Sequence, residues 1–129
     1  MFEQDYIMRL IREMVRTLVK LVFKVDIENP EQVDFDNADM EEEYYNLIAM
    51  INSGMVNEAE NMLLDQLDLT DKKAFEMSLM FYSYLNEKDD VFIENHNYSR
   101  SEVVDGIKSV CDKFGYSGFT DSFLGDMLP

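Results

Sequence analysis

Six apolar residues near the start of the chain, Ile7, Ile11, Met14, Leu18, Leu21 and Val25, are spaced by alternating steps of four and three. This is the heptad seam of an amphipathic α-helix, and no strand can present it, because strand side chains alternate with a period of two. Met8, Val15 and Val22 form a second row beside the seam, and Leu10 and Val19 widen it. The apolar arc therefore spans roughly half the circumference, more than a two-stranded coiled coil needs. Such a helix has to pack against more than one neighbour. Running from about Glu3 to Val25 it would be about 33 Å long, enough to cross a small domain.

The opposite face is cationic. Arg9, Arg12, Arg16, Lys20 and Lys24 recur every three or four residues and share one side of the helix. Residues 1–25 hold five cations against three carboxylates, a net +2. The rest of the chain holds six against twenty-four, a net −18. The total of −16 opposes approach to nucleic acid and anionic membranes at long range. The basic face also lacks interleaved aromatic residues, so nucleic acid is excluded as a partner. A charged face of this kind most often meets solvent, paired in part with the acidic body.

Beyond the first helix the reading is all-α, a single helical domain over residues 1–129. Residues 26–38 form an acidic loop with Pro30, and residues 39–129 form the helical body. Asp34, Asp36 and Asn37 briefly resemble a calcium loop, but Ala38 occupies the fifth position and no glycine the sixth. A second helix spans about 40–52, with Asp39 and Glu42 as its capping box. Gly54 ends it, and a third helix follows over about 56–67, making an αα-hairpin. The fourth helix, about 71–86, is apolar on nearly every side; only Lys72, Glu76 and Ser83 form a polar strip, so it belongs at the centre. Residues 87–98 read as a loop. Ser99 and Glu102 cap a fifth helix running to Phe114, Gly115 stops it, and a short last helix over about 120–128 docks Phe119, Phe123 and Leu124. No segment shows sustained period-two alternation, so no strand is expected. The fold expected is a compact bundle of five or six helices with a long amphipathic N-terminal helix.

Two resemblances accompany this reading. The hairpin over 40–73 resembles one degenerate tetratricopeptide repeat through Leu47, Gly54, Ala59 and Leu63. That pattern lapses at Glu43, Gln66 and Asp71, and no second copy follows at a period of about 34 residues. A solenoid needs about three repeats, so the resemblance implies a TPR-like hairpin inside a bundle. The stretches MFEQDYIMRLIREMVRTLVKL, NEAENMLLDQLD, FYSYLNE and YSRSEVVDGIKSVCDKFGY resemble an uncharacterised family of small helical bacterial proteins that carries a domain of unknown function. The resemblance implies an all-helical bacterial protein and no particular activity.

Candidate chemistry is sparse. His96, the only histidine, lies between Asn95 and Asn97 in a polar segment without a companion metal ligand. Cys111, the only cysteine, sits one turn from Ile107 on an apolar face and reads as a buried structural thiol. A lone cysteine allows no internal disulfide and fits a reducing cytoplasm. Glu41, Glu42 and Glu43 are successive and point in different directions around a helix, so they do not converge on a ligand. No phosphate loop, nucleophile elbow or zinc signature occurs. No enzyme, metal or cofactor is called for. The function expected is protein–protein interaction or self-association through the N-terminal helix. Ile11, Met14, Leu18 and Leu21 would be its apolar anchors and Arg9, Arg12, Arg16 and Lys20 its cationic rim. Binding to a membrane surface through the same helix is the alternative, opposed by the acidic body. An unrecognised catalytic site near residues 87–98 is a further one.

Overall fold

In a computed structural model, which describes residues 2–24, 35 and 37–127, the elements are seven helices. They are α1 (Phe2–Phe23), α2 (Ala38–Asn52), α3 (Val56–Asp65), α4 (Lys72–Asn86), α5 (Asp90–Asn95), α6 (Arg100–Lys113) and α7 (Phe119–Met127). No strand occurs among the described residues. The acidic loop expected over 26–38 lies outside them except for Phe35, Asn37 and Ala38.

The organising element is α4. Eleven of its fifteen residues are buried, including Phe75, Leu79, Met80, Phe81 and Tyr82. An apolar surface this complete has to be covered on every side, and α1, α2 and α6 pack against it. The expected polar strip on α4 is corrected in one respect. Glu76 is buried at 4% exposure, with its carboxylate 3.1 Å from the Lys73 ammonium. The long lysine stem carries the charge in from the rim, so Glu76 is buried as half of a pair.

Local signals place the helix ends. Asn37 caps α2, its side-chain oxygen accepting from the Asp39 and Met40 backbone N–H groups at 2.9 and 3.2 Å. The expected cap, Asp39, is instead in the first turn, where its charge complements the helix dipole. Asn37 takes the cap because it holds the extended backbone that a cap requires (φ −151°, ψ 114°). Phe35, just before it, is buried against Tyr44 at a ring distance of 5.2 Å and pins the entry to α2. On α6 Ser99 is the cap, as expected: its hydroxyl accepts from the Glu102 N–H and donates to the Glu102 carboxylate, both at 3.2 Å.

Two glycines mark close approaches. Gly54 turns α2 into α3 at φ +87°, and a Cβ there would lie 2.6 Å from His96 Nε2. Gly106 lets α6 lie directly on Tyr82 of α4; a Cβ there would sit 2.4 Å from the phenol ring. The segment 87–98, expected as a loop, contains α5, capped by the Asp89 carboxylate on the Phe92 N–H at 2.7 Å. Six residues with three apolar ones in succession give no helical period to read.

The division of α1 into core and surface yields a direct test. Leu18→Asp puts an unpaired charge at a position 1% exposed and should cost about 4 kcal/mol or more, seen as loss of the cooperative urea transition. Leu21→Asp, at 58% exposure, should leave the midpoint within about 0.5 kcal/mol of the parent.

Candidate interaction surface

The seam of α1 belongs to the chain's own core. Ile11, Met14 and Leu18 are at most 1% exposed, and Val15, Val19 and Val22 are buried beside them. Three of the four expected anchors are therefore covered from within the molecule and cannot reach a partner. The fourth, Leu21, is exposed. A straight α-helix drifts about 20° per heptad, which carries Leu21 beyond the buried edge while Val19 and Val22 swing inward.

The opposite face is open to solvent. Arg9, Arg12, Arg16 and Lys20 are all exposed, with Glu13 among them. Arg12 grips Glu87, just past the end of α4, through Nε and Nη2, both at 2.7 Å from a carboxylate oxygen. Both side chains are more than 40% exposed, so solvent screening leaves this pair worth about 1 kcal/mol at most. Arg9 and Lys20 make no ion pair with any described residue. Lys24, the expected fifth member, lies beyond the helix at φ 62°, its N–H donating to the Lys20 carbonyl at 3.1 Å. It caps the end of the stripe and no longer follows the helical register.

Buried polar groups, most of them silent in the sequence, hold this helix and the hairpin in place. Asn86 is fully buried and donates to the Met8 carbonyl at 3.0 Å, tying the end of α4 to α1. Arg100, 1% exposed, donates from Nη2 to the Lys88 carbonyl at 2.6 Å, and its Nη1 lies 3.3 Å from the Asp90 carboxylate. Its Nη2 also lies 3.7 Å from Met8 Sδ, so one side chain gathers α1, α5 and the end of α4. The phenols of Tyr82 and Tyr98 both donate to the same Glu60 oxygen, at 2.7 and 2.8 Å. Burial, then the adjacent carboxylate, pushes both phenols well above their ordinary ionisation range. They remain neutral donors and lock α3 to α4 and to the start of α6. Nothing in the spacing of Glu60, Tyr82 and Tyr98 foretells this, because the three lie on separate elements.

His96 and Cys111 both have packed surroundings. His96, expected in a loop, has a built environment. Its Nδ1 lies 2.7 Å from the Phe92 carbonyl, its ring packs at 4.3 Å on Phe92, and its Nε2 edge faces Gly54. Asn57 reaches the His96 and Asn97 carbonyls at 3.4 Å, so His96 joins α5 to the α2–α3 turn. Cys111 is buried, and that burial, opposed by the neighbouring Thr120 hydroxyl, pushes its thiol up to about 11. An open crevice of 380 Å³ is lined by Asp105, Lys108, Ser109, Asp112 and Lys113, all on α6. One helix face brings no groups into convergence. No metal-ligand group of three or more exists among the described residues, and none of their helices is long and apolar enough to cross a membrane.

Glu60→Ala would leave two buried phenols without an acceptor and should destabilise the fold by about 2–4 kcal/mol in urea titration, with Glu60→Gln recovering at least half. Cys111 should stay unreactive toward a disulfide reagent at about pH 8 in the native state and react at once in denaturant.

No curated protein and no solved structure matches the chain. A family model does match, over residues 1–115, and so takes in α1 to α6 and the Gly115 stop. The chain belongs to that family, described as "Family of unknown function (DUF6483)".

Proposed function

We propose that the protein is a non-catalytic protein–protein interaction module, working in the cytoplasm, whose α1 outer face docks on an acidic protein surface. The observation that carries this reading is the division of α1. Ile11, Met14 and Leu18 fix the helix in the core, so Arg9 and Lys20 are displayed on a rigid rod. Charges held in place lose less conformational entropy on docking than charges on a mobile arm. The same division weighs against the membrane alternative. A surface-bound amphipathic helix inserts its apolar face, and here that face is occupied by α4 and its neighbours. Among the described side chains of α1, only Tyr6 and Leu21 remain as exposed large apolar residues.

Arg9→Glu with Lys20→Glu is the informative variant, because it spares the Arg12–Glu87 pair. The urea midpoint should stay within about 0.5 kcal/mol of the parent. In a pull-down from native lysate, the proteins captured by the parent should fall about tenfold or more with the variant. Undiminished capture would refute the reading, as would co-sedimentation of the parent with anionic liposomes in place of protein capture.

A further inference from the structure

We infer that the acidic surface met by the α1 face is the α2–α3 hairpin of a second copy of this chain. The inference rests on the reading of α1 as a docking face and names its partner.

The hairpin is the electrostatic complement of α1. Between Lys24 and Lys72 the chain has no lysine or arginine. Within residues 38–65, α2 and α3 carry seven carboxylates and no cation. Their inward faces, Leu47 and Ile51 on α2 and Val56, Ala59 and Leu63 on α3, are buried. Their outward faces are not. On α2, Tyr45 is 56% exposed, and the exposed Glu41 and Glu42 stand one turn before it. On α3, Met62 is 41% exposed between the exposed Glu58 and Asp65, each about one turn away. Each outer face thus combines an apolar contact point with flanking carboxylates. That is the counterpart of a helix bearing cations at every turn, with the exposed Leu21 about 100° round the helix from Lys20 at the edge of the cationic face.

Charge also decides which surfaces meet. Pairing two α1 faces would oppose cation to cation, and pairing two hairpins would oppose carboxylate to carboxylate. Of these three pairings, only α1 on hairpin is complementary. The net charge of −16 repels a second copy at long range, but that repulsion is screened beyond about 8 Å at physiological ionic strength, while pairs in contact are less affected. The contact strip is small. A helix face about 33 Å long and about 10 Å wide offers roughly 330 Å², under half of the ~800 Å² per partner of a standard interface. The association should therefore be weak and reversible, with a dissociation constant in the micromolar range.

Sedimentation equilibrium of the intact protein at about 0.15 M salt tests this, with two variants whose folding is first verified by urea titration. Arg9→Glu with Lys20→Glu reverses the α1 face; Glu42→Lys with Glu58→Lys reverses the hairpin. The parent should associate, each variant alone should associate at least tenfold more weakly, and an equimolar mixture of the two should recover parent-like association. Recovery in the mixture is the diagnostic result, because loss of folding in either variant could not produce it. A parent that stays monomeric at high micromolar concentration overturns the inference, and so does a mixture no more associated than its components. If the parent is monomeric but its lysate capture still depends on Arg9 and Lys20, the docking reading of α1 stands and only the second copy is wrong. If capture is independent of them as well, both fall.

Discussion

Covering α4 is the constraint on which the rest of the structure depends. A fifteen-residue helix with eleven buried residues cannot sit at a surface, and each large apolar side chain left in water would forfeit about 1.5–3 kcal/mol. Three helices are recruited to cover it: α1 along one side, α2 on another and α6 on a third. The Gly106 gap lets α6 close on Tyr82, and α3 and α7 then lie outside α2 and α6. Several of the polar groups drawn into this core pair across elements. Glu60 with two phenols, Arg100 with Lys88 and Asp90, and Asn86 with Met8 each join segments distant in sequence. Such pairings add specificity of register to a core that is otherwise adaptable, being rich in methionine and leucine.

This constraint also shapes the proposed docking surface. Because α4 consumes the apolar arc of α1, the helix turns its cations outward in a fixed row. The same burial leaves the outer sides of α2 and α3 with their carboxylates and with Tyr45 and Met62. Two surfaces of opposite sign arise on one molecule as by-products of covering one helix. Among the described residues no group of three or more potential metal ligands accompanies them; His96 packs on Phe92 and Cys111 is buried.

Much of this architecture is legible in the sequence where a signal is local and periodic. The all-round apolar pattern of residues 71–86 marks α4 as central, Ser99 with Glu102 marks the start of α6, and Gly54 marks the hairpin turn. Signals fail where the deciding contact is distant. Periodicity shows that α1 has an apolar face, but it does not show which body covers it, so Ile11, Met14 and Leu18 read equally as core or as interface. Arg100 begins a helix and looks like surface; only the packing of α1, α5 and the end of α4 around it makes it a buried clamp. Helix α5 is too short to show a period, and Asn37 displaces Asp39 as a cap because backbone geometry, not residue type alone, selects the capping position. The basic stripe is legible from Arg9 to Lys20, since it needs only helical spacing; Lys24 leaves the register because the helix ends at Phe23.

The central claim is that α1 is an integral core helix and not a detachable arm, and native-state hydrogen exchange tests it most directly. Amides of α1 from Ile11 to Val19 should exchange in the slowest class, together with those of α4, with protection that tracks the global unfolding free energy as urea is added. If α1 instead exchanges through a separate low-energy opening while α4 stays protected, its apolar seam is available to partners or lipid. The cations would then sit on a mobile arm, and the rigid docking face would not exist.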